Sequence, residues 1–141
     1  MGSSRIIARI MLAFGLLCIA NGATATTSTD RSFGIWRNPK NSVHIRVIQC
    51  DDRMCGKVIW ANEKAQNDAA KGSDTPLIGS TLFHGFTQEK PGIWRGKVYV
   101  PDIGKTFSGT ISVIDSHHME GRGCLLRNIG CKSQVWTKIR E

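Results

Sequence analysis

Four cysteines stand in two close pairs, Cys50-x4-Cys55 and Cys124-x6-Cys131. Such pairs serve either as zinc ligands or as disulfide staples. Zinc-binding pairs are typically spaced by about two to four residues, which puts the first pair at the edge of that range and the second outside it. Four histidines, His44, His84, His117 and His118, could also bind metal or move protons. Neighbours on a strand point to opposite faces, so His117 and His118 cannot chelate one ion without a bulge. Rim or surface positions are expected for all four, and no metal site. The tripeptide Gly104-Lys105-Thr106 resembles the end of a phosphate loop, but that motif needs glycine where Tyr99 stands, and a helix after it. Hydrolysis would need a base beside a nucleophile, or paired carboxylates. His84, Asp102 and Ser108 are the available parts, and no spacing motif links them. Asp102 reads as a turn residue and Ser108 as the solvent face of a strand. No catalytic residue and no cofactor are expected.

The elements that carry these residues begin after an N-terminal leader. Arg5 and Arg9 precede the apolar run Ile10–Ala20, and Ala23-Thr24-Ala25 comes next, the three parts of a secretory signal peptide over residues 1–25. The run is short for a bilayer-spanning helix, which needs about 20 apolar residues. Cys18 leaves with this segment. Export to the periplasm or the extracellular space favours disulfides among the four remaining cysteines. Three pairings are possible, and the separations favour Cys50–Cys55 and Cys124–Cys131. The mature part keeps 17 basic and 11 acidic side chains, a charge of +6. Anionic partners are favoured by that balance. Nucleic acid is not expected, because the chain is exported and no basic run is interleaved with aromatics.

Period-two alternation dominates the mature chain. Val43, Ile45 and Val47 share one face; Trp94, Gly96, Val98 and Val100 another; Phe107, Gly109, Ile111 and Val113 a third. Turn residues such as Pro39, Asp51-Asp52, Pro91-Gly92 and Asp115-Ser116 separate the runs. Strands are predicted over 33–37, 43–49, 55–61, 82–87, 93–100, 105–114, 117–124 and 131–139, an antiparallel sandwich or barrel. Interior glycines weaken strands unless the sheet bends sharply or a neighbour comes close. Gly96, Gly109, Gly121 and Gly123 therefore favour a closed, coiled barrel. The domain is placed at 33–141, after a disordered linker over 26–32. Between strands three and four, residues 62–81 allow a short helix capped by Asn62 and ended by Gly72. The stretch after that helix is either a lid or a free loop.

Gly34-Ile35-Trp36 in the first strand, with Trp136, Lys138 and Arg140 in the last, resembles the signature of lipocalin-like (calycin) barrels. The resemblance implies a base where Lys138 and Arg140 cover Trp36 and close the barrel. The longer string resembles a family of small exported bacterial proteins, domain-of-unknown-function family 2147. It comprises Gly34-Ile35-Trp36, Cys50-x4-Cys55-Gly56-Lys57-Val58-Ile59-Trp60, Gly79 with the Leu82–Phe86 segment, Trp94-x-Gly96-x-Val98-Tyr99, Asp102-x-Gly104-Lys105-Thr106-Phe107-Ser108-Gly109, Gly121-Arg122-Gly123-Cys124 and Gln134-Val135-Trp136-Thr137-Lys138. It covers 33–139 and implies a small exported barrel without implying an activity.

An eight-stranded barrel encloses just enough space for its own side chains or one small ligand. The expected function is a non-catalytic binding protein, a monomer holding a small lipophilic or amphipathic ligand. Trp60, Leu77, Phe83, Phe86 and Trp94 are expected to line the cup. The alternative is an interaction or inhibitor module with a filled barrel, whose partner is an envelope protein or anionic envelope lipid. A hydrolase is the weaker alternative.

Overall fold

A computed structural model of the protein describes residues 30–126 and 128–141. The leader expected over 1–25, and residues 26–29 of the linker, lie outside the described residues. Eight strands succeed one another: β1 Gly34–Arg37, β2 Val43–Cys50, β3 Arg53–Ala61, β4 Thr81–Lys90, β5 Ile93–Val100, β6 Lys105–Val113, β7 His118–Leu126 and β8 Ile129–Arg140. Each pairs antiparallel with the next, and β8 returns to β1, so the sheet closes into a barrel. Alternation located the strands. The last hairpin runs further than predicted, because Leu126 pairs with Ile129 across a two-residue connection.

One helix, α1 Glu63–Ala69, interrupts the strands between β3 and β4. Asn62 caps it, its side-chain oxygen accepting from the Ala65 N–H at 2.8 Å, which satisfies one of the helix's free donors. Beyond the helix, Leu77 is buried, the Gly79 N–H donates to the Val58 carbonyl (2.8 Å), and the Val58 N–H donates to the Ser80 carbonyl (2.9 Å). This stretch is thus tied to the end of β3, and Gly72 before it lies against Pro101 and Asp102 of the β5–β6 turn.

Three local irregularities decide which side chains enter the core. A one-residue register slip moves a strand's side chains to the opposite face. In β4, Phe83 and Phe86 are three apart, yet both are buried. Gly85 between them has φ +58° and the β4–β5 register shifts there. In β3, Ile45 pairs with Val58 but His44 pairs with Trp60, so one extra residue reverses the alternation. Ala61 consequently faces inward and Trp60 outward. In β8 the register shifts between Ile35↔Arg140 and Trp36↔Lys138, and Arg140 joins Ile35 on the outer wall.

The base is sealed by the residues just before β1. Residues 30–32, expected in a disordered linker, instead form an ordered turn under the barrel, and Ser32 is fully buried. Its carbonyl accepts from the Trp36 indole N–H (3.0 Å) and its hydroxyl from the Trp94 indole N–H (2.8 Å). Two buried donors need acceptors in an apolar interior, and one serine supplies both. Asp30 fixes the turn by accepting from the Ser32 N–H (2.8 Å) and from Gln88 (2.9 Å).

Candidate functional site

The barrel interior was the expected cup, and the chain's own rings fill it. Phe83 packs edge-on against Phe86 and Trp136, with centroids 5.7 and 5.8 Å away. The strand glycines are the sockets of these rings. A Cβ on Gly96 would lie 2.5 Å from Phe86 Cδ2, and one on Gly56 2.8 Å from Phe83 Cδ2. A Cβ on Gly109 would run into Val98. Space beside Gly56, Gly96 and Gly109 is therefore taken by Phe83, Phe86 and Val98, whereas a Cβ on Gly123 would meet open space.

Of the residues expected to hold a ligand, Leu77, Phe83, Phe86 and Trp94 join one buried cluster. Trp60 is corrected to the outside: it is 42% exposed and stacks on His44 at 4.5 Å. Burial and the nearby Arg37 charge lower the His44 pKa from its usual 6.5, since both disfavour the imidazolium. At the base, Lys138 lies 5.1 Å from the Trp36 ring centroid, with its side chain only 5% exposed. Arg140 does not share that role, because the β8 irregularity turns it outward. Both expected disulfides, Cys50–Cys55 and Cys124–Cys131, are formed.

The parts of a hydrolase are not brought together. His84 pairs across the sheet with Lys97, and Lys97 with Ser108, so two strand spacings separate base from hydroxyl. Ser108 Oγ accepts from Lys97 Nζ at 3.2 Å instead. His117 and His118 belong to a turn organised by Asp115, whose carboxylate accepts from both backbone N–H groups. These contacts, the His117 N–H first, lower the Asp115 pKa. Among the described residues no cluster of three or more His, Cys, Asp or Glu is placed to hold a metal ion.

Two concavities lie on the outer wall. A cleft of about 450 Å³ at the base runs between the start of β1 and the ends of β2 and β8, with Arg46 and Arg140 on either side of Ile35. A wider groove of about 700 Å³ lies where the segment after α1 meets β4, β5 and β6. Pro76, Ile78 and Tyr99 give it apolar surface; Thr75, Ser80, Thr81, Thr106 and His84 give it polar groups. The tie of Gly79 and Ser80 to Val58 holds one bank of this groove in place. Sequence reasoning named Gly79, His84, Tyr99 and Thr106 separately, and no spacing signal joins them to one another or to Ile78. Ser32 was missed altogether, because nothing in a serine before a strand announces two indole partners.

Residues 34–138 match the family described as "Uncharacterized protein conserved in bacteria (DUF2147)". Among solved structures, protein HP1028 from the human pathogen Helicobacter pylori, described as belonging to the lipocalin family, superposes with a TM-score of 0.60. The identity is 16%, over 75% of this chain and 81% of that one, so the likeness is one of fold. No curated protein matches the chain.

Proposed function

The chain belongs to the bacterial family of uncharacterized proteins DUF2147, and on that footing we propose that it is an exported, non-catalytic binding module that recognises an envelope partner on the outside of a solid barrel. The observation that carries this reading is the filled interior: Phe83 and Phe86 occupy the room beside Gly56, Gly96 and Gly109. Recognition then falls to the outer groove, whose mixed apolar and hydroxyl walls suit an amphipathic surface. Two formed disulfides fit an oxidising compartment. No helix among the described residues is long and apolar enough to cross a membrane.

A second reading rests on the groove's size. About 700 Å³ lies within the range of small-molecule sites, which run from about 300 to 1,000 Å³, so a small amphipathic ligand could take the place of a protein. A photo-crosslinking side chain at Ile78, with one at Lys64 on the exposed side of α1 as control, separates the two. A specific protein captured from Ile78 alone supports the interaction module. A co-purifying lipophile that Ile78→Arg removes supports the ligand. If neither is found, the groove is not a recognition site.

A further inference from the structure

We infer that the β7–β8 hairpin docks the protein on an anionic bilayer, its tip entering the interface end-on. β1 pairs with β8 only from Ile35↔Arg140 to Arg37↔Thr137, and β6 accompanies β7 only as far as Ser108↔Cys124. The outer part of the hairpin, Cys124 to Cys131, therefore projects from the barrel as an arm. Its tip carries Leu125, Leu126 and Ile129, which are 63%, 69% and 69% exposed. Monomeric surfaces scatter single apolar residues, but three adjacent ones at a projecting tip form a patch that calls for a partner.

The arrangement of charge chooses the partner. Leu126 and Ile129 share a face with the Cys124–Cys131 pair and Arg122, whereas Leu125 shares the opposite face with Lys132. Next to the Arg127-Asn128 connection each face is thus apolar, and it is cationic about 7 to 14 Å further down, at the rise of a strand. A protein partner would meet an apolar face with a polar one behind it. Here apolar and cationic groups follow one another along the arm's length, as they do at a bilayer interface, where apolar groups insert and long Lys or Arg side chains reach the headgroups. From Gly121 to Gln134 the sequence has three Lys or Arg, namely Arg122, Arg127 and Lys132, and no Asp or Glu, which matches anionic headgroups. The disulfide across the arm holds it in shape before contact, so docking requires little ordering.

The test uses the oxidised chain recovered from the compartment to which the producing cell delivers it. Co-sedimentation is measured with vesicles of phosphatidylglycerol and phosphatidylcholine, and with phosphatidylcholine alone. The mixed vesicles should bind, and more weakly as salt rises. The double variant Leu126→Ser/Ile129→Ser should lose at least about tenfold in affinity. Arg122→Gln and Lys132→Gln should each lose about fivefold and flatten the salt dependence. Hydrogen exchange should slow on vesicle binding at residues 124–131 and not around Ile78, which keeps this test separate from that of the groove. Wild-type protein that ignores anionic vesicles, or tip variants that bind as well as wild type, would overturn the inference. So would light scattering that finds a dimer which the tip variants dissociate, since a second copy would then cover the tip.

Discussion

The base of the barrel and the β7–β8 arm are built from the same alternating strands and end in opposite states. At the base, the buried Ser32 satisfies two indoles and Lys138 covers Trp36, while Gly34 lets β1 lie against β8: a Cβ there would sit 2.6 Å from the Arg140 carbonyl. At the arm, leucines and an isoleucine stand in solvent. Strand length makes the difference. β1 has four residues and β8 has twelve, so closure is achieved near the base and cannot extend to the rest of β8. Stability should therefore be concentrated in the core and base, while the arm, held in shape by Cys124–Cys131, contributes little to it. Substitutions in the two regions can break that contrast.

The largest effect is expected from Phe86→Ala. The ring is fully buried and fits against Gly96 and Gly109, so its removal leaves a cavity that a backbone pressed this close cannot fill by rearranging its side chains. A loss of about 3–5 kcal/mol is expected, read from the urea midpoint at unchanged slope. If the loss were under about 1 kcal/mol, the interior would not be a packed body.

Ser32→Ala comes next. It keeps the carbonyl that serves Trp36 but strands the Trp94 indole N–H inside the base, which costs about 1–3 kcal/mol. In a Trp94→Phe background the serine has no indole to serve there, so the same substitution should cost much less. Equal costs in both backgrounds would mean that the serine matters only for its turn.

Lys138→Met should cost about 1 kcal/mol by removing the cation from Trp36, whereas Arg140→Met should stay within about 0.5 kcal/mol. The pair also shows what could be read from the sequence. Period two located eight strands, Asn62 and Gly72 the helix, and cysteine separation both disulfides, because each is written in local spacing. Trp60 and Arg140 were assigned to the wrong face for one shared reason: an extra residue in β3 and another in β8 reverse the alternation, and a bulge leaves no local mark in Ile59-Trp60 or Ile139-Arg140. The strand glycines were legible as room, but not as room already taken, since Gly96 and Phe86 meet only after the β4–β5 pairing forms. The outer groove gathers residues from 75 to 106 that no spacing connects.

His44, on the outside beside the β1–β2 turn, should give a smaller response. Burial first, and the Arg37 charge second, hold its pKa below 6.5. Within the window between that depressed value and 6.5, the unfolded chain binds the proton more readily than the folded one. The His44 contribution is thus intact above about pH 6.5 and is lost as pH falls through the window. An NMR titration should place the His44 midpoint below 6.5, and Arg37→Gln should bring it only part of the way back, because burial remains. A midpoint that Arg37→Gln restores completely would assign the whole shift to charge and contradict the packing of His44 on Trp60.

The smallest effect separates the two regions most cleanly. Leu126→Ser/Ile129→Ser removes two large apolar side chains, as much hydrocarbon as many core truncations remove, yet both are already in water when the chain is folded. Burial energy depends on area withdrawn from solvent and not on residue type, so urea unfolding should shift by no more than about 0.5 kcal/mol. The same pair carries the predicted affinity for anionic vesicles. A variant that keeps its stability and loses that affinity would show that the tip is maintained for contact alone. A loss of stability comparable to that of Ser32→Ala would instead mean that the arm folds back on the barrel, and the contrast between its two regions would not stand.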